Sequence, residues 1–417
     1  MTHGMWRDRT LSRRGLLKAA AGATVGGAAL AVAACSDGDG GAAATATVLS
    51  GNPAVVGPVE QQRQRRVGTG LTGYDPTKTF DGYTLFATLQ GTMAYVVDMM
   101  GEVVNTWALT TDPRERSVFS VQLLENGNLF AAMHQQEEDA PPFVFKGGVL
   151  MEVDWDGNVI WQFEDEDQHH DARVLPNGNL LILRAEVLPP ELEARVSGGR
   201  PAGQDYGMWT DWVAEVTREG ETVWEWHARD HMAPEEYPIN AVDLRDEWTH
   251  GNGIAQLPNG DVLISFRNVN TVAIIDRDSG DFTWTMGAPE LAQQHDPSFL
   301  ENGNVLIFDN GGHRENSGLN YSRVIEVDPA TSEIVWEYID ATILNFFSPF
   351  VSSAQRLPNG NTFISEGNYG RLFEVTIDGE IVWEYINPFF ILNPILGDVN
   401  TVFRAWRYPT EAFQIGA

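Results

Sequence analysis

Two short motifs alternate along this chain, and that alternation limits its fold more than any other feature. The first is a turn between apolar runs. It reads "LLENGNLF" from Leu123, "LPNGNLLIL" from Leu175, "LPNGDVLISF" from Leu257, "LENGNVLIF" from Leu300 and "LPNGNTFIS" from Leu357, with "FDGYTLFA" from Phe80 as a degenerate first copy. Asn-Gly favours positive φ and closes tight hairpins. The second motif is a hairpin with an Asp/Gly turn that ends in tryptophan, at Trp107, Trp161, Trp224, Trp284, Trp336 and Trp383. The six copies lie 47 to 63 residues apart.

Each unit therefore supplies four short antiparallel strands. Six such units predict an all-β chain folded as a six-bladed β-propeller; a linear β-solenoid is the rival, and four strands in about 50 residues favour the ring. The first unit lacks an inner strand and "NTVFRAWRYP" from Asn400 is a strand without a turn. The C-terminal strand is thus expected to complete the first blade. The repeated tryptophans are expected in the core.

The chain before the repeats is of a different kind. Ser12-Arg13-Arg14-Gly15-Leu16-Leu17-Lys18 is a twin-arginine export pattern, followed by an Ala/Gly-rich run into "VAAC" at Cys35. A transmembrane helix is the alternative, but the run is too short and too rich in Ala and Gly. The organisation expected is a twin-arginine lipoprotein signal over residues 1–34, a tether over 35–78 with at most a short ordered piece, and the propeller over 79–417. Lipidation at Cys35 would hold the mature chain to a membrane outside the cytoplasm, after passage through the twin-arginine machinery. Cys35 is the single cysteine, so no disulfide or thiolate chemistry is left.

The net charge is −31. Residues 1–34 hold five basic side chains and one acidic, so losing them leaves −35. Lys78 and Lys146 are then the last lysines. Such a surface repels nucleic acid and anionic lipid, and suggests a salty habitat. An anionic substrate needs a local positive pocket against this field.

Such a pocket is legible in the repeat. Five positions before the turn leucine stand His170, Asn252, His295 and Ser352, with Phe119 in the earlier copy, and His250 stands seven before. Positions seven and five share a strand face. His170, His250, Asn252, His295 and Ser352 are therefore expected to face the channel near one mouth. Hairpin arithmetic puts Arg267 of "SFRN" level with His250 or Gly251. The loops 227–249, 340–349 and 387–398 open there, the last two apolar enough to wall an aromatic substrate. His169 is expected to point away from His170, and Asp171 and Asp296 to be structural ties. No acidic metal cage accompanies the histidines; a three-histidine zinc site stays open, but Arg267 argues for an oxyanion such as sulfate or phosphate. No phosphate-cradling Gly-x-x-x-x-Gly-Lys loop occurs.

With His170-Asp171, His250-Gly251-Asn252, Ser265-Phe266-Arg267, Gln294-His295-Asp296 and the "LPNGN" turns, the chain from Gly73 to Pro409 resembles the bacterial aryl-sulfate sulfotransferases that use no phosphoadenosine donor. The resemblance implies an enzyme without a cofactor. His295 would be the nucleophile, carrying the sulfuryl group as a transient sulfohistidine between an aryl sulfate donor and a phenolic acceptor. It implies that His170, His250 and Arg267 stabilise the sulfuryl oxygens and the leaving phenolate, with Asn252 and Ser352 as substrate-binding residues. Some members carry an extra N-terminal β-domain and a disulfide; this chain is expected to have neither, with no room for the first and a single cysteine for the second. A metal-dependent hydrolase and a non-catalytic binding propeller are the alternatives.

Overall fold

The computed structural model describes residues 56–61, 68–112, 116–135, 146–202, 207–315, 317–393 and 396–413. The expected leader, and with it Cys35, lies outside the described residues. The sheets form a ring of six antiparallel blades, a six-bladed propeller. Blade 2 is built from Ser117–Leu123, Leu129–His134, Gly148–Val153 and Val159–Asp165. Blade 3 uses Gln168–Val174, Leu180–Val187, Trp209–Val216 and Thr222–His227. Blade 4 uses Gly251–Gln256, Val262–Phe266, Thr271–Ile275 and Phe282–Met286. Blade 5 starts at His295–Phe299 and blade 6 at Ser353–Arg356.

The ring closes as the sequence predicts. Ala405–Tyr408 is the inner strand of blade 1, paired antiparallel with Tyr83–Ala87 through Tyr83↔Tyr408 and Phe86↔Ala405. One addition was not legible. Gly70–Tyr74, inside the stretch read as a tether, is a fifth strand on the outer edge of blade 6, paired with Ile381–Ile386.

Period-two alternation puts side chains on both faces of every blade, and both faces are buried. Val305 and Ile307 face blade 4, while Leu306 and Phe308 face blade 6. Among the described residues the core is accordingly divided into six apolar clusters, one per blade interface, with a small seventh of Phe119, Val351 and Phe403 at the channel.

The turn residues act across these interfaces. Only the glycine of each Asn-Gly pair takes positive φ, at 83° for Gly127, 86° for Gly178, 97° for Gly260, 89° for Gly303 and 88° for Gly360. The asparagines instead use their side chains. Asn302 and Asn304 both donate to Glu326 Oε1, and Arg356 of the next blade grips Glu326 Oε2 at 2.6 Å. The Arg356 guanidinium lies 4.4 Å from the Trp336 ring centroid. The same set recurs as Asn126/Asn128–Glu152–Arg218–Trp161 and Asn177/Asn179–Glu215–Arg277–Trp224.

The tryptophans are thus more than core residues. Trp107, Trp284 and Trp383 are buried, whereas Trp161, Trp224 and Trp336 lie half-buried under arginine lids or at the blade edge. Each indole N–H crosses to an outer turn of the next blade: Trp107 to Asp154 O, Trp161 to Arg218 O, Trp224 to Arg277 O, Trp284 to Ser332 Oγ and Trp336 to Ile377 O. Trp383 completes the circuit, donating to Met99 O of blade 1 at 2.9 Å.

Candidate functional site

The inner strands lose their regularity at one mouth of the ring. Ladder shifts fall at Val118/Ser120, Gly251/Gly253 and His295/Ser298 and opposite Ile182/Arg184. Non-glycine residues in the left-handed region gather there: His170 (51°), His250 (50°), Gln293 (58°), Asp296 (47°), Val351 (53°) and Ser352 (93°). Such conformations are costly and concentrate where side chains must be re-aimed for function. Here they turn three imidazoles toward one space.

That space is a cavity of about 440 Å³. His170, His250, His295 and Arg267 all line it. Phe119, Leu89, Val351 and Phe403 form its apolar floor. Two insertions flank the opening. One pairs Gly198–Arg200 with Ile239–Leu244 and contributes Arg200, Val242 and Leu244; the other is the hairpin Ile391–Asn393/Gly397–Val399, contributing Asn393 and Val399. The apolar loops supply less wall than expected, because Phe346 packs into the core and Phe389 stacks 3.7 Å from the Tyr95 ring. A larger cleft of about 640 Å³ shares Val242 with the site but holds none of the three histidines.

His295 is held on both sides. Its Nδ1 lies 2.8 Å from Asn310 Oδ1 and 3.1 Å from Gln293 O. Asn310 Nδ2 donates to Ser348 O and Val351 O, so its oxygen must face the imidazole. Both neighbours of Nδ1 are acceptors, so Nδ1 carries the proton. Nε2 keeps its lone pair and accepts from the Val351 N–H at 3.2 Å. Burial first, and Arg267 second, push the imidazole down to about 3, so it is neutral over the physiological range.

His250 is the opposite case. Its Nδ1 lies 2.6 Å from Glu247 Oε2. Burial opposes its charge, but the Glu247 carboxylate outweighs burial and raises its pKa above the ordinary value. Arg267 is aimed by Asp243 Oδ1 at 2.9 Å and Asn268 Oδ1 at 2.8 Å, and its backbone N–H donates to His250 O. That last bond is the level expected from hairpin arithmetic. His170 packs with its ring 4.6 Å from that of His250 and 5.2 Å from Phe119. Burial, then His250, lower its pKa well below the ordinary value.

Asn252 and Ser352 stand elsewhere than the sequence places them. The left-handed turn at His250 breaks the alternation, so Asn252 leaves the His250 face. It is fully buried, and its amide donates to Gln294 O, steadying the peptide before His295. Ser352 Oγ accepts the Gly367 N–H and its own N–H goes to Phe403 O. Neither lines the cavity. Asp171 and Asp296 are ties, as expected. Asp171 accepts from Arg404 at 2.8 and 3.1 Å, and Arg404 Nε lies 2.6 Å from Asp296 Oδ1. His169 keeps off the cavity, as expected, but stays in contact with its neighbour, its Nδ1 2.7 Å from His170 Nδ1.

Among the described residues no group of three or more His, Cys, Asp or Glu is arranged to hold a metal ion. The positive groups are each matched to a carboxylate, Arg267 to Asp243 and His250 to Glu247, which fixes the direction of their N–H donors. Asn310 and Glu247 were missed by sequence reasoning. Asn310 was within reach, since it stands ten residues after its turn leucine, Leu300, as Arg267 does after Leu257.

Comparison with known proteins places this geometry. No curated protein matches the chain in sequence. Among solved structures it is similar to a protein of unknown function from Bacteroides caccae (15% identity, 78% of this chain and 98% of the other, TM-score 0.49). It is also similar to a streptogramin B lyase (12%, 76% and 82%, 0.42) and a virginiamycin B lyase from Staphylococcus aureus (13%, 76% and 84%, 0.41). Likeness at that level says nothing of activity. The sequence profile of arylsulfotransferase (ASST) matches residues 120–388, which run from the inner strand of blade 2 past the end of blade 6 and include all three histidines and Arg267. The chain belongs to the arylsulfotransferase family.

Proposed function

We propose that the protein moves a sulfuryl group from an aryl sulfate to a phenol in two steps, through a sulfohistidine on His295. Family membership supports aryl sulfotransfer in general. The observation that carries the two-step reading is the His295–Asn310 bond, which leaves Nε2 of a neutral, buried imidazole as the nucleophilic atom. In the first step Nε2 bonds to sulfur, the sulfur–phenolate bond breaks, and the leaving oxygen takes a proton. In the second an acceptor phenol attacks sulfur, the nitrogen–sulfur bond breaks, and the phenol proton is returned.

The transferring group spreads negative charge over three oxygens, so preorganised donors matter most. Arg267 and the Glu247-held His250 supply them, and the Val351 N–H, which holds the Nε2 lone pair at rest, must release it for attack on sulfur. His170, against the aromatic wall of Phe119 and Phe403, is the group that exchanges the proton with the phenolic oxygen. Asn252 and Ser352 act by shaping the backbone around His295 rather than by touching substrate.

The test is an aryl sulfate incubated with and without a phenol. Acceptor should accelerate phenol release, and quenching at alkaline pH, where the nitrogen–sulfur bond survives, should trap sulfur on His295. His295→Ala should remove both signals. Acceptor-independent release, or full activity in His295→Ala, overturns the proposal; activity lost to a chelator would favour a metal-dependent hydrolase instead. We also propose export by the twin-arginine route and lipidation at Cys35, supported by the leader sequence and tested by mass spectrometry of the mature N-terminus.

A further inference from the structure

Behind His170 lies a second histidine that reaches no substrate. His169 is 1% exposed and does not line the cavity. Its Nδ1 meets His170 Nδ1 at 2.7 Å, a separation that requires one nitrogen to donate and the other to accept. On its far side His169 Nε2 lies 3.0 Å from Asp211 Oδ1, off the in-line direction of an N–H bond. Asp211 is itself 2% exposed and fixed by the Gly251 N–H on Oδ2 at 2.6 Å. A side chain at Gly251 would come within 3.0 Å of that carboxylate, so the glycine of "HGNG" makes room for it.

Two proton arrangements satisfy this row. With both imidazoles neutral, Asp211 calls for a proton on His169 Nε2. His169 Nδ1 then accepts from His170 Nδ1–H, and the lone pair of His170 falls on Nε2. With one further proton, His169 is an imidazolium beside Asp211, donates through Nδ1 to His170 Nδ1, and leaves His170 as the Nε2–H tautomer. Moving between the two states changes His170 from a base to an acid at Nε2 while the added charge rests on His169.

We propose that Asp211, His169 and His170 form a proton relay, in which His169 stores the proton that His170 exchanges with the phenolic oxygen. The proposal rests on the sulfotransfer reading above. In the acceptor step the phenol gives its proton to His170 Nε2 as its oxygen bonds to sulfur, and the His170 Nδ1 proton passes to His169 Nδ1. In the donor step both transfers reverse and the leaving phenolate departs as a phenol. Charge is conserved throughout, with the stored proton neutralised by Asp211. The arrangement resolves a conflict in the site. Burial first, and then the neighbouring His250 and Arg267, disfavour a cation on His170 itself. Passing the charge one residue back sets it beside the Asp211 carboxylate and farther from the other positive groups of the site. His169 is a positioning and proton-holding residue; His170 alone touches the substrate.

The experiment compares a nitrophenyl sulfate, whose phenolate needs no proton to leave, with an unactivated alkylphenyl sulfate, whose phenolate does. In His169→Gln, turnover of the alkylphenyl ester should fall by ~10²-fold while the nitrophenyl ester changes by less than ~3-fold, the size expected for loss of general-acid help. Asp211→Asn, which keeps an acceptor for Gly251, should show the same selectivity. In the wild-type enzyme the alkylphenyl rate should bow downward against deuterium fraction, the mark of two protons in flight. Equal losses on both esters, no loss on either, or a straight line in the wild-type plot overturns the relay. Failure of the wild-type enzyme to pass sulfuryl from either ester to a phenol overturns the underlying reading instead.

Discussion

His295 and His250 sit in one cavity with opposite protonation preferences, and the difference comes from single neighbours. Asn310 offers His295 a neutral acceptor, while Glu247 offers His250 a carboxylate. Replacing Asn310 by alanine frees the ring to rotate or change tautomer, and kcat should drop by at least ~10-fold with KM little altered. Single-turnover kinetics on an activated ester would check it. The pH profile carries a second signature. His250 has a raised pKa, so its charged form is complete below the ordinary value near 6.5 and is lost as pH rises through its folded value. Activity that uses this charge should decline on the alkaline side, and Glu247→Gln should move that decline to lower pH. His295 is pushed down to about 3, so the acid limb should not be set by the nucleophile.

At this scale the sequence was generous with identities and poor with directions. His170, His250, His295 and Arg267 converge as the repeat offsets require, because the offset counts residues from a fixed turn. Asn252 and Ser352 were misplaced because side-chain direction was taken from strict alternation. A left-handed residue at His170, His250 or Ser352 reverses the parity locally, and no composition or spacing signal announces one. Glu247 reaches His250 from a loop, where there is no period to read.

The strands show how a repeat becomes a ring. All six units carry an outer tryptophan that reaches the next blade, and four of them, blades 2, 3, 5 and 6, carry an acceptor glutamate: Glu152, Glu215, Glu326 and Glu374. Glu326→Ala should leave Asn302, Asn304 and Arg356 without their shared partner and cost about 1–3 kcal/mol. Trp383→Phe keeps most of the apolar area but strands the Met99 carbonyl at the junction of blades 6 and 1, with a similar cost. Denaturant titration followed by intrinsic fluorescence would measure both. This layer of the fold was the most legible, since the turns and tryptophans that specify it recur in the same order along the chain. The strand Gly70–Tyr74 was not, because "GLTGY" has no counterpart in the other five units and gains its place only from the free edge of blade 6.

For the molecule as a whole, stability depends on contacts across the channel as well as around it. Arg404, from the segment leading into the closing strand, bridges Asp171 of blade 3 and Asp296 of blade 5, and all three are nearly inaccessible to solvent. Removing one member of a buried ionic set leaves uncompensated charge, so Arg404→Ala should destabilise by about 3–5 kcal/mol, visible as a lowered thermal midpoint. A charge-neutral Asp171→Asn should cost less, because it leaves Arg404 with Asp296.

The pairing of Tyr83 with Tyr408 has a consequence for how the protein is made. Blade 1 cannot finish its sheet until Ala405–Tyr408 has left the ribosome, about 320 residues after its partner Tyr83–Ala87, so over that span its inner edge is an open template for any passing strand. Loop closure over such a span is slow. The leader read in residues 1–34 is synthesised long before that edge is covered. Any delivery step that inspects its cargo for completed folding would therefore have to wait for Ala405–Tyr408 to pair.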